Sequence, residues 1–182
     1  FEDRKLVEIV KATYFNPKIV VIDETTTALS QEGREELYKH MERIRKSGNT
    51  VIFISHDLPE IIEKSDTITI LRDGEVTGDY YRSDYGEKVS DEVVLSVKNV
   101  TVPGLIENVS FDLHKGEILG FGGLSESGMH EIGKAIFGAS YDREGTVELA
   151  DGTQINDIPT AIKHSIAYTS KDRDNESVVL NQ

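Results

Sequence analysis

Two adjacent acids, Asp23 and Glu24, follow four consecutive apolar residues, Ile19 to Ile22. A short β-branched run bounded by polar residues reads as a buried central strand. Parallel α/β sheets gather their ligands where such strands leave the core. Two buried neighbouring carboxylates repel, and a lone one is costly to bury, so a metal ion or a transferred proton would make the pair sensible. A plain strand end followed by a turn accounts for the same two residues. About thirty residues later a second apolar run, Thr50 to Ile54, also ends in polar groups, Ser55, His56 and Asp57. An aspartate at such a strand end can hold Mg²⁺, usually through water. The next carboxylate can orient or deprotonate an attacking water. An imidazole from the neighbouring strand can sense a transferred phosphate, although a structural turn histidine is the simpler reading of His56 alone. Strand, acidic pair, helix, strand and histidine together describe the second half of a nucleotide-hydrolase core.

The elements that must position these groups follow from spacing. Leu6, Ile9, Val10 and Thr13/Tyr14 space a helix over residues 2–14, which Asn16-Pro17 ends, because the residue before proline avoids the α region. Ser30 can cap a helix to Lys46 with Leu37, Met41 and Ile44 on one face, and Ser47-Gly48-Asn49 stops it. Asp57 and Pro59 start a short helix to Lys64. Thr67 to Leu71 and Glu75 to Tyr80 form a hairpin through Asp73-Gly74. This alternation argues for an α/β layer. Residues 79–93 are polar and without periodicity, as a linker would be. Beyond them Val94 to Val100 and Asn108 to Leu113 alternate as half-exposed strands, Glu117 to Gly122 is a strand, and a glycine-bearing loop leads into a helix from Gly128 through Phe137. Two strands around Asp151-Gly152, a helix capped by Asp157 and a strand at Ile166 to Thr169 complete the series.

Composition bounds the partners. The chain has 182 residues, 37% of them hydrophobic, no cysteine and a net charge of −13. The absence of cysteine excludes disulfides and thiolate zinc sites and suits a reducing compartment. The charge is −6 up to Asp91 and −7 beyond it, so it is not a tail. No basic patch suited to nucleic acid is visible. No apolar run reaches the ~20 residues that span a bilayer. Phe1 opens a charged segment without an initiator methionine, and SVVLNQ ends the chain inside an element, as expected of a piece excised from a longer protein.

The strings IVVIDETTTALS (Walker B and D-loop), FISHD (switch histidine) and DTITILRDGEVTGDY resemble the ATPase subunits of ABC transporters. LSVKNVTV, HKGEILGFGGLSESGMHEIGKAIFGA and SIAYTSKDRDNESVVL resemble the second domain of tandem-ATPase subunits from bacterial importers of ribose, galactose or xylose. The resemblance covers nearly the whole chain. It implies an α/β fold made of partial ABC-type P-loop NTPase cores: a mixed sheet, flanking helices and an antiparallel β portion. Residues 1–80 would be the C-terminal half of a first ATPase domain, 81–93 a linker, and 94–182 the N-terminal half of a degenerate second one. It further implies ATP and Mg²⁺ in the intact parent, with Asp23 on the metal and Glu24 and His56 catalytic. The partners would be transmembrane permease subunits and, indirectly, a sugar-binding protein. The parent would sit in the cytoplasm on the inner face of the membrane.

The departures are chemical. A P-loop needs glycines so that backbone N–H groups cradle phosphate, a lysine for the phosphate charge and a Ser/Thr for Mg²⁺. Gly123 and Gly128 fit. Glu126 stands where a glycine belongs, Met129 replaces the cation, and His130 replaces the hydroxyl. The loop is therefore expected not to bind ATP, and the isolated chain to bind no cofactor. Phe1-Glu2-Asp3 fall on the end of the signature loop without its Leu-Ser. Thr25 replaces a proline, Ser30 stands at a position often held by aspartate, and Ser170 to Arg173 lack the Q-loop glutamine. The pattern implies one live composite site and one dead one.

Four functions compete: a sugar-importer ATPase part, a non-catalytic coupling module, a soluble tandem ABC protein, and a helicase. Acidity counts against the third, and the order of the motifs counts against the fourth. The coupling module suits the isolated chain. A back half followed by a front half also predicts that one core forms by circular permutation, or by exchange of half-domains between two chains in a homodimer.

Overall fold

A computed structural model describes residues 9–11, 13–81, 89–124 and 126–170. The first strand, β1 (Ile19–Asp23), is buried throughout and is followed by a 3-10 turn at Thr26–Ala28. Helix α1 (Gln31–Lys46) begins at Ser30, whose hydroxyl accepts from Gly33 N–H at 3.2 Å. Strand β2 (Thr50–Ser55) leads to α2 (Leu58–Lys64), capped by the Asp57 carboxylate on Glu60 N–H. Strands β3 (Thr67–Arg72) and β4 (Glu75–Tyr81) form the hairpin. Then come β5 (Val93–Val102), β6 (Ile106–His114), β7 (Ile118–Gly123), α3 (Met129–Ile136), β8 (Glu144–Leu149), α4 (Ile158–Lys163) and β9 (Ile166–Thr169). After Asp151-Gly152 the expected second strand is reduced to a single bridge, Glu148 to Gln154. Only residues 9–11 and 13–14 of the expected first helix are described, and they are helical.

These elements make two sheets. Strands β6, β5 and β8 form a small antiparallel sheet. The other six form one mixed sheet in the order β4-β3-β7-β2-β1-β9, parallel except for β4. Strand β7, from the later part of the chain, therefore inserts between β2 and β3, from the earlier part. Strand β9 covers the far edge of β1. The sheet closes within one chain, in the permuted arrangement that the order of motifs anticipates.

Strand alternation splits the core in two. Ile19 and Val21 of β1 with Ile52 and Ile54 of β2 join the cluster that holds α3 and the small sheet; Val20, Ile22, Val51 and Phe53 join Leu37, Met41 and Ile61 under α1 and α2. Strands buried on both faces explain why the sequence shows continuous apolar runs here and alternation in β5 and β6. Gly120 sets how close α2 approaches β7: a Cβ there would lie 2.3 Å from Ser65 Oγ and 2.9 Å from Ile61 Cγ2. Near the opposite end of the sheet, Glu117 is buried, and this burial pushes its carboxyl up from its ordinary value. Hydrogen bonds from Thr67 and from His114 N–H (2.8 Å) act the other way. No described helix is long and apolar enough to cross a membrane.

Candidate functional site

The C-terminal ends of β1, β2, β7 and β9 open on one edge of the sheet, where a parallel α/β sheet carries its ligands. Asp23 ends β1 and is buried at 1% exposure. Glu24, equally buried, follows with φ of 43°, and its N–H donates to the Ile54 carbonyl at 3.0 Å. A left-handed conformation at a residue bearing Cβ costs on the order of 1–2 kcal/mol. That bond holds the backbone at this turn, and the buried Glu24 carboxylate meets His56.

Two histidines meet these acids. His56, just past β2, places Nδ1 2.7 Å from Glu24 Oε1. His130, in the first turn of α3, places Nδ1 2.6 Å from Asp23 Oδ1 and Nε2 3.6 Å from Glu24 Oε1. The other Asp23 oxygen accepts from the Tyr168 hydroxyl of β9 at 2.8 Å. The Tyr168 ring stacks on Phe137 at 5.5 Å between centroids. Hydrogen bonds thus join His56 to Glu24, and His130 and Tyr168 to Asp23, while His130 Nε2 approaches Glu24 Oε1 at 3.6 Å.

Behind it lies a second polar group. Glu60 of α2 accepts from Thr26 at 3.0 Å and from Ser55 at 2.7 Å, and the Tyr38 hydroxyl donates to its other oxygen. Burial, and next the carboxylate, push the Tyr38 hydroxyl above its usual range. Glu60 thereby ties the 3-10 turn after Glu24 to the end of β2 that carries His56.

The glycine loop after β7 leads into α3, whose first turn carries His130. Gly128, at φ of 89°, starts α3; a Cβ there would lie 2.3 Å from Ile106 Cγ2, so only glycine fits. Met129 is fully buried and belongs to the hydrophobic cluster under α3. Glu126 is exposed. Ser127 is buried, and its hydroxyl has no partner among the described residues. Ser125 lies outside the described residues, as do Phe1 to Asp3 and Lys171 to Arg173.

Of the residues singled out by sequence, Asp23, Glu24, His56 and His130 come together, while Met129 turns inward and Glu126 outward. Tyr168 and Glu60 join the site without having been singled out. Nothing local in IAYT or LPEIIEK reports that β9 lies beside β1 or that α2 lies behind the acids.

No protein-family model matches the chain. It is 34% identical, over 97% of its residues, to a putative ribose/galactose/methyl galactoside import ATP-binding protein of Burkholderia ambifaria. It is 35% identical, over 98% of its residues, to the ribose import ATP-binding protein RbsA of Caldanaerobacter subterraneus. The RbsA protein of Clostridium tetani is 32% identical over 98%. Over nearly its whole length the chain resembles the ATP-binding proteins of sugar importers. It spans about two fifths of the length of these relatives, 38% of the first and 40% of the other two. In this chain the α/β core with its mixed sheet and separate antiparallel sheet is assembled from segments on both sides of residues 82–88.

Proposed function

We propose that this chain is part of the ATP-binding subunit of an ABC importer for sugars. In that subunit Asp23 holds Mg²⁺ through water, Glu24 is the general base and His56 contacts the γ-phosphate. The subunit works against transmembrane permease partners fed by a sugar-binding protein, on the inner face of the membrane. Residues 1–80 and 94–182 correspond on this reading to the back of one ATPase domain and the front of the next, with a linker at 81–93.

Within the chain itself, Mg²⁺ and ATP do not fit the residues that face one another. A P-loop presents a cation to the phosphates and a hydroxyl to Mg²⁺. Here Met129 is sunk in the core and His130 sits directly on Asp23, where the ion would be shared. That contact is the observation that carries the reading: the chain is a non-catalytic module whose acids are already engaged. Its predicted behaviour is that millimolar Mg–ATP leaves its melting temperature unchanged and gives no calorimetric binding signal. A clear upward shift would overturn it.

In a longer protein carrying a second, intact P-loop, the same acids are expected to serve turnover. There Glu24→Gln abolishes hydrolysis and spares ATP binding; surviving turnover would remove Glu24 as the base. Exchange of half-domains between two chains would rebuild the same sheet, and light scattering reads the resulting dimer.

A further inference from the structure

At the end of the mixed sheet opposite Asp23, a cavity of about 420 Å³ opens between the two sheets. Its apolar lining is Ile19 of β1, Val94 of β5 and Leu149 of β8. Small-molecule sites occupy ~300–1,000 Å³ and combine such a lining with a few placed polar groups. A strand rises about 3.3 Å per residue, so the start of β1 lies ~13 Å from Asp23, well away from the acids and histidines.

Backbone bonds fix the walls. Lys18 N–H donates to the Ser165 carbonyl at 2.8 Å, which sets the start of β1 against the turn before β9. Lys115 N–H donates to the Glu92 carbonyl at 2.9 Å, and Ala150 N–H to the Val94 carbonyl at 3.2 Å. The cavity is therefore formed before any ligand arrives.

Its rim is cationic in a chain of net charge −13. Lys18, Lys115, Lys163 and His164 stand there against Glu92 and Asp151. Lys115 is paired with Glu92 at 3.0 Å. Lys18 and Lys163 have no ion pair among the described residues. Hydrogen bonds from Thr153 hold the Asp151 carboxyl below its usual range, and His164 and Lys18 act the same way, so both side chains face that part of the rim.

Ser165 adds a second observation. It follows the end of α4 with φ of 64°, at a place where helices usually end in glycine. A side chain there strains the backbone. Ser165 lines the cavity, and its hydroxyl has no hydrogen-bond partner among the described residues.

We propose that this cavity binds a small organic phosphate with an apolar body. The phosphate meets the Lys18 and Lys163 ammonium groups, which act as point charges, and accepts from the Ser165 hydroxyl. The body lies against Val94 and Leu149. Because the lining comes from both sheets, the bound molecule ties them together. The proposal is independent of what occupies the cleft at Asp23 and Glu24.

The test uses the full chain and 1-naphthyl phosphate, with inorganic phosphate and 1-naphthol as the two halves of that probe. Fluorescence titration is expected to give a Kd of ~0.1–1 mM for the ester, in keeping with its size, and at least ~10-fold weaker binding for each half. The ester should also raise the melting temperature. Lys18→Glu and Lys163→Glu, both at exposed positions, should each weaken it ~10-fold or more. Ser165→Gly should weaken it ~10-fold, the measure of one hydrogen bond to a charged group, while the unliganded chain melts no lower than the parent. A merely structural serine would leave affinity unchanged. Binding of 1-naphthol as tight as that of the ester, affinity unchanged in both charge reversals, or no binding below millimolar ester would each overturn the proposal.

Discussion

His130 and Asp23 stand 2.6 Å apart although 107 residues separate them in the chain. The contact joins α3 to the end of β1, and so fastens the later part of the chain to the earlier one. Removing the imidazole leaves the buried Asp23 Oδ1 without that partner, and a buried acceptor left unsatisfied costs ~1–3 kcal/mol. His130→Ala is therefore expected to lower stability by about that amount in urea denaturation. An unchanged midpoint would mean that the pair contributes nothing to closing the core.

Tyr168 supplies the other hydrogen bond to Asp23 from inside the sheet. Tyr168→Phe keeps the ring and its stack on Phe137 and deletes only the donor. A bond from a hydroxyl to a charged acceptor contributes ~1.5–3 kcal/mol. The variant should lose stability in that range with the fold intact by circular dichroism.

Gly128 cannot be replaced without cost. Its φ of 89° and the 2.3 Å approach to Ile106 Cγ2 act together. Alanine there combines backbone strain of about 1–2 kcal/mol with overpacking of about 1–3 kcal/mol. Gly128→Ala should melt well below the parent, and a melting temperature within a degree of it would contradict this geometry.

Glu117 makes stability depend on pH with a definite sign. Burial raises its carboxyl in the folded state above the ordinary value of 4.5. Its contribution is fully present below that unfolded value and is lost as pH rises through the folded one. Glu117→Gln removes this loss and keeps an oxygen for the His114 N–H. Relative to the parent, the variant should gain stability between pH 4 and neutrality, read as diverging urea midpoints. Parallel curves would show that Glu117 does not titrate in this way.

The interleaved sheet predicts complementation. A chain cut between residues 82 and 88 should give two pieces that are unfolded alone and that restore native circular dichroism when mixed, because β7 fills the gap between β2 and β3. Two independently folded pieces would be incompatible with the shared sheet.

Local signals account for what the sequence discloses. The apolar runs at Ile19 to Ile22 and Thr50 to Ile54 demand burial on both faces, and Ser30, Asp57 and Asp157 cap the helices they precede. The acids at the end of β1 are legible because strand ends of such sheets carry ligands. Other features depend on neighbours brought in from afar. His130 reads in sequence as the loss of a hydroxyl, and only the position of α3 makes it a partner for Asp23. Met129 reads as the loss of a cation, and only the packing under α3 makes it core. Tyr168 is a common strand residue until β9 pairs with β1.

The place of β7 also sets a clock on the making of this protein. During synthesis β2 and β3 emerge with their facing edges bare, and the strand that fills the gap follows roughly fifty residues after β3. At roughly 5–20 residues per second, the nascent chain carries two open sheet edges for ~3–10 s. Unpaired edges invite other strands. The interval is long against hairpin formation, which takes microseconds. The ribosome's pace therefore sets how long these edges depend on chaperones, or on the edges of a neighbouring copy.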